Sequence, residues 1–144
     1  MGMISIRSGD YERARLLLEE GLEVGRKTGK PADIAYSLHG LGIVSRLERD
    51  LVRARCLYTE SLRLVQPLHL EHDVNMAEYL VGAGLVMVAE GLFEKFARML
   101  GMAEGVAPHI QKLLGQSFRT ETEKSIELTR AALGDEAYTA TSIC

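Results

Sequence analysis

The chain has 144 residues, of which 47% are hydrophobic and 26% charged, with a formal net charge of −3. That is the balance of an ordinary folded domain. It lacks the clustered basic surface that a broad nucleic-acid footprint requires, and no run of 18 apolar residues offers a membrane span. Two cysteines, Cys56 and Cys144, make no disulfide framework. The opening stretch MGMISIRS has neither a basic leader nor a long apolar core. Both points predict a reducing, cytoplasmic setting.

Residues 1–8 are too short to close a helix pair and read as the last turns of a helix whose beginning is missing. Gly9-Asp10 breaks the chain, and Asp10 can N-cap the next helix. Residues 11–27 form an amphipathic helix with Ala14, Leu18, Gly21 and Leu22 on one face. Gly29-Lys30-Pro31 ends it, and Pro31 opens its successor. A helix over 32–47 packs Leu38, Leu41, Gly42 and Val44 on one side. Arg49-Asp50 breaks again, and 51–65 carries Ala54, Tyr58, Ser61 and Leu62 in one stripe. A glycine inside a helix costs about 1 kcal/mol relative to alanine, so Gly42 implies a partner helix too close for a side chain.

Gln66-Pro67 ends that segment, and a linker over 68–72 leads to helices over 73–89 and 92–106, separated by Glu90-Gly91. Beyond residue 106, Pro108 interrupts the pattern. One or two turns occupy 109–114, with a break at 115–117. A helix over 118–133 places Phe118, Thr122, Ile126, Thr129 and Leu133 near one face, and a short helix starts at Asp135.

The segments repeat. Gly42 and Gly84 are 42 positions apart, and with them Leu38 pairs with Leu80, Val44 with Val86, and Tyr58 with Leu100. Gly9-Asp10-Tyr11 precedes Arg49-Asp50-Leu51 by 40 positions. A period of this size with two helices per unit predicts a solenoid of helix hairpins, each burying its apolar face on its neighbour.

Leu38, Leu41-Gly42, Asp50, Ala54, Tyr58 and Ser61-Leu62 resemble the tetratricopeptide repeat. The copies around Gly9–Leu22 and Leu80–Ala103 extend that resemblance over residues 3–105. The period exceeds the family's usual 34 residues, and Phe96 stands where Ala14 and Ala54 stand, which demands local repacking of that copy. Residues 96–104 and 130–138 resemble the end of bacterial signalling ATPases and of LuxR/MalT/AfsR-type transcriptional regulators, whose repeat domain closes a longer chain. The resemblance implies an all-α superhelix of about two and a half hairpins over 1–106, the first truncated, with a helical cap over 107–144. It also implies a non-catalytic role in protein interaction or ligand sensing.

Ala14, Leu38, Leu41, Gly42, Ala54, Tyr58, Leu80 and Gly84 are then packing residues. In tetratricopeptide folds the first helix of each pair lines a concave groove. This places Tyr36, His39, Ile43 and Arg46, and from the next repeat Glu78, Val81, Leu85 and Val88, in contact with a protein, a peptide or a small effector. The apolar second set marks an interface unless segment 108–133 folds back over it. An exposed first edge at Met3, Ile4 and Ile6 offers the alternative of a homodimer or oligomerisation scaffold.

Chemistry is sparse. Gly25-Arg26-Lys27-Thr28-Gly29 has the wrong spacing and context for a phosphate loop and reads as a basic helix end. His69 and His72 would need a third ligand to hold a metal. Arg53 and Arg55 flank Cys56 and would activate its thiol, but a helical cysteine is ordinarily inert. No cofactor, no metal and no direct nucleic-acid or membrane contact are expected, and a metal- or thiol-dependent enzyme is the remote alternative.

Overall fold

The helix boundaries are set by the turn residues. The computed structural model describes residues 2–68 and 74–143. Its elements are α1 (Gly2–Arg7), α2 (Tyr11–Thr28), α3 (Pro31–Leu47), α4 (Leu51–Val65), a 3-10 turn over Gln66–Leu68, α5 (Val74–Ala89), α6 (Phe93–Val106), α7 (Ile110–Leu113), α8 (Gln116–Leu133) and α9 (Asp135–Ile143). No strand occurs among the described residues, and the fold is all-α. The chain divides into two compact units, Met1–His69 and Leu70–Cys144. The expected line at 106/107 therefore runs between helices that share the second unit.

One turn occurs three times. After α1, the Asp10 N–H reaches back to the Ser5 carbonyl (3.0 Å) and the Gly9 N–H to the Ile6 carbonyl (3.1 Å). After α3, Asp50 bonds to Ser45 (2.9 Å) and Arg49 to Arg46 (3.0 Å). After α5, Leu92 bonds to Met87 (2.8 Å) and Gly91 to Val88 (2.9 Å). This is the Schellman ending of a helix, in which a left-handed residue lets the chain satisfy its last carbonyls. The left-handed residue is Gly9 (φ 81°), Arg49 (φ 66°) or Gly91 (φ 77°). The residue after it caps the next helix without a spacer. Asp10 and Asp50 do this with their side chains, accepting from the Arg13 and Arg53 N–H groups, both at 3.1 Å. The turns start at Ser5, Ser45 and Met87, so they repeat at the spacings of 40 and 42 that the sequence indicates.

The two helices joined by each turn meet at a glycine. A Cβ on Gly42 of α3 would stand 3.2 Å from the Tyr58 ring of α4. A Cβ on Gly2 of α1 would stand 2.6 Å from Leu18 of α2, the position 40 before Tyr58. Leu18 is gripped from the other side as well, because a Cβ on Gly40 would come equally close. In the second unit, a Cβ on Gly84 of α5 would stand 3.0 Å from the Phe96 ring of α6. The large side chain thus comes one helical turn earlier than in the first two hairpins. That is the repacking demanded by an aromatic at the alanine position.

In the first unit, Ala14, Leu18, Leu22, Leu38, Leu41 and Val44 form a continuous core, with Ile6, Tyr11, Ile34, Leu57 and Leu64 packed at its margin. Ser61 donates to the Ala35 carbonyl (2.9 Å) and fastens α4 to α3. Outside this core, Arg53 of α4 lies 3.8 Å from Glu19 of α2, and Arg26 of α2 lies 3.8 Å from Glu60 of α4. Exposed pairs of this kind contribute roughly 0–1 kcal/mol each, so apolar packing carries the unit.

In the second unit, α6 packs along α5, and α7 and α8 also touch α5. The segment after residue 106 therefore does fold over the last hairpin. Helix α8 begins at Gln116, two residues before the expected start, with Gly115 at its N-cap. Its most buried positions are Thr122, Ser125 and Thr129, while Leu128 is exposed. Thr122 and Thr129 each return a hydroxyl bond of 2.7 Å to the carbonyl four residues back. Small, internally satisfied side chains let α8 lie close to its neighbours without leaving polar atoms unpaired.

The turns give a direct test. Asp50→Ala removes the cap of α4 and is expected to lower stability by about 1 kcal/mol. Arg49→Gly relieves a side chain held at positive φ and is expected to raise it by about 0.5–1 kcal/mol. Urea midpoints of the two variants against the parent chain measure both.

Candidate functional site

Helix α3 has the composition of an interior helix. It carries Ala35, Leu38, Gly40, Leu41, Gly42, Ile43 and Val44, and its polar residues do not collect on one side. Such a helix is buried round its circumference, and every residue from Ser37 to Arg46 is buried. Helix α5 obeys the same rule, with Tyr79, Leu80, Val81, Ala83, Leu85 and Val86 all buried.

The eight residues expected to line a groove consequently differ in access. Tyr36 is 44% exposed. Glu78 and Val88 are half-buried. His39 (1% exposed), Ile43, Arg46 (6%), Val81 and Leu85 are buried. Tyr36 on α3 is therefore open, Glu78 and Val88 on α5 are partly open, and the other five side chains are closed off. The eight expected packing residues, Ala14, Leu38, Leu41, Gly42, Ala54, Tyr58, Leu80 and Gly84, are all buried.

His39 is the best-defined polar group of the first unit. Its ring meets Tyr58 edge-on, with centroids 5.4 Å apart and planes at 63°. Tyr58 is therefore framed by two residues of α3 one turn apart, Gly42 and His39. The i, i+3 spacing of His39 and Gly42 puts both on one helix face, and that spacing is the sequence signal that would have assigned His39 to the interior. Burial, assisted by the positive charge of Arg46, lowers the His39 pKa from 6.5 to about 3. A neutral imidazole with so low a pKa, sealed from water, is a packing group and a poor general base near pH 7. On Glu78 burial acts in the opposite sense and raises the carboxyl pKa.

A second polar knot lies in the second unit. Glu104 of α6 accepts from the His109 backbone N–H (3.1 Å) and from the Gln111 side-chain amide (3.0 Å), fixing the start of α7. His109 holds a left-handed backbone (φ 65°) just after Pro108. Arg119 of α8 donates to the carbonyls of Lys112 (2.6 Å) and Leu114 (3.1 Å), closing the other end of α7. Tyr138 of α9 is buried under the Arg130 guanidinium, which lies 4.8 Å from its ring centroid. Burial pushes the Tyr138 phenol up, against the pull of Arg130. These groups shape the short helix and its surroundings, and sequence periodicity does not single them out.

Among the described residues no three His, Cys, Asp or Glu side chains converge as metal ligands. The pair His69 and His72, with the capping Asp73, lies outside the described residues. Cys56 is a free thiol exposed on α4. No helix of the described residues is long and apolar enough to cross a membrane. No family model, curated protein or solved structure matches the chain.

The depressed His39 pKa makes stability depend on pH with a definite sign. The unfolded chain takes up the proton below pH 6.5 and the folded chain only near pH 3, so acid favours unfolding across that window. Between pH 6 and pH 4 the parent chain should lose stability relative to His39→Phe by up to about 1.4 kcal/mol per pH unit. Above pH 6.5 the two curves should run parallel. Urea denaturation at a series of pH values checks this.

Proposed function

We propose that this protein is a non-catalytic recognition module of the tetratricopeptide type, the sensing or partner-binding part of a bacterial regulatory system. The observation that carries the reading is the turn repeated at spacings of 40 and 42, each copy joining two helices that meet at a glycine. Each such hairpin can offer its exposed positions to a partner. Its helices are tied by backbone geometry and apolar contact, which leaves the exposed positions free to vary with the partner. The sequence resemblance at residues 96–104 and 130–138 supports a link to transcriptional regulators and signalling ATPases. Partner binding would then bias an attached or associated effector by population shift.

Tyr36 is the first contact in this reading. It is an aromatic side chain left open on a helix whose centre is otherwise buried, and exposed aromatics are enriched among residues that dominate interface energies. Glu78 and Val88 provide half-buried contacts on α5, while His39, Ile43 and Arg46 in the first unit and Val81 and Leu85 in the second are buried. The partner is a protein segment or a small effector. A cytoplasmic setting agrees with the free thiol at Cys56.

Self-association is the second reading, favoured by Ile4 on α1, which is 62% exposed. Light scattering over a concentration series separates the two. A strict monomer removes the scaffold reading, and a dimer dispersed by Ile4→Glu supports it.

For the principal reading, the tagged chain is used to capture its partner from the source cells, beside Tyr36→Ala and Val88→Asp variants of equal melting temperature. The partner recovered by the parent chain should be reduced about tenfold or more by Tyr36→Ala, the loss given by roughly 1.4 kcal/mol at an aromatic contact. Undiminished recovery with both variants would overturn the assignment of Tyr36 and Val88 as contacts.

A further inference from the structure

Helix α2 buries Ala14, Leu18, Leu22 and Gly25. Another side of it carries Arg13, Leu16, Leu17 and Glu20, at the i, i+3, i+4, i+7 spacing that makes one helical face. Leu16 is 63% exposed, Leu17 is half-buried, and both charged residues are exposed. The face is thus apolar at its centre, with a cation at the end nearer the helix N-terminus and an anion at the other. Apolar side chains gathered between charged ones mark a contact surface, whereas single ones need no explanation. All four residues lie in the first unit.

The repeat shows what such a face does. At the spacing of 40, the same places on α4 hold Arg53, Cys56, Leu57 and Glu60. There Arg53 meets Glu19 and Glu60 meets Arg26, both at 3.8 Å, so the two ends of the face are set against α2. The copy on α2 itself enters no such ion pair among the described residues. Its two ends differ in sign, so the face complements itself when one helix is reversed. In a pair related by a two-fold axis, the midpoint between residues 13 and 20 falls between Leu16 and Leu17. Arg13 of each copy then stands opposite the partner's Glu20, and the leucines meet across the axis. A parallel pair would set Arg13 against Arg13 and Glu20 against Glu20, which repels.

We propose that α2 pairs with α2 of a second copy of this chain, antiparallel and two-fold symmetric, with Leu16 and Leu17 at the centre and an Arg13–Glu20 pair at each end. The inference rests on the self-association reading and names its seam. Contact between the leucines supplies the attraction. The ion pairs, weak at a surface, set orientation and register by penalising the alternatives. Glu19 and Arg26, the other opposite-charge couple of α2, already face α4 and leave the second copy one place to dock. An isologous contact of this kind closes at two copies.

Sedimentation of the whole chain over a concentration series tests the seam. Arg13→Glu and Glu20→Arg change exposed side chains, and melting temperatures equal to the parent's confirm that each variant folds. Either one sets like charges opposite each other at both ends and should raise the dimer Kd about tenfold or more. The double variant restores both pairs and should dimerise as the parent does. An equimolar mixture of the two single variants should do so too, because each chain then meets opposite charges on the other. Leu16→Asp should abolish the dimer. A parent chain that stays monomeric would overturn the seam and the self-association reading together. A dimer indifferent to all of these variants yet dispersed by Ile4→Glu would overturn the seam alone. Losses in the single variants that the mixture does not restore would overturn the antiparallel arrangement and the proposal with it.

Discussion

The close approach of paired helices at a glycine is the constraint on which this protein depends. Gly2 receives Leu18, Gly42 receives Tyr58 and Gly84 receives Phe96. Each pair couples a backbone with no side chain to one of the larger residues of the opposing helix. Dense interiors reward such complementarity because every gap forfeits contacts. The helix propensity lost at glycine, about 1 kcal/mol per site, is offset by burying a large side chain against it, for roughly 1.5–3 kcal/mol. A methyl group at any one of these glycines would require the facing side chain or its helix to give way.

The turns make that approach reproducible. A Schellman ending joined directly to an N-cap fixes both the angle at which the chain leaves one helix and the rotation at which it enters the next. Asp10 and Asp50 contribute the cap in two copies, and Leu92 occupies the same place in the third with no side-chain bond. The left-handed position tolerates Arg49 in the middle copy and glycine in the others. Backbone hydrogen bonding is thus the invariant part of the unit and side-chain capping an addition to it.

Much of this was legible in the residues. Period, helix boundaries and the packing role of Leu38, Gly42, Ala54 and Tyr58 can be read from spacing, because a buried stripe and a breaker are local signals. Gly2 could not be recognised as a member of the glycine series, since so short a helix offers no periodicity to read. The open face expected on α3 and α5 rested on the resemblance, and the composition of both helices pointed elsewhere. A helix rich in Val, Leu, Gly and Ala on every side belongs inside. His39 was placed in the groove by that same resemblance, whereas its spacing from Gly42 puts it against Tyr58. The Glu104, Arg119 and Tyr138 contacts were invisible, since they join residues across irregular turns and between helices that share no repeat.

The absence of any spacer in the turns has a consequence for how such a chain varies in length. One residue added between the left-handed position and the cap would rotate the next helix by about 100° and carry its packing stripe away from the waiting glycine. Length variation is therefore barred from the turns and driven into the connections that leave each hairpin. The step from 40 to 42 obeys this rule, because both extra residues fall after Asp50 and before Met87, outside the two turns that bound the interval. The turns act as a fixed gauge, and the stretches between hairpins are where insertions, tags or grafted loops can enter without disturbing the register of the helices.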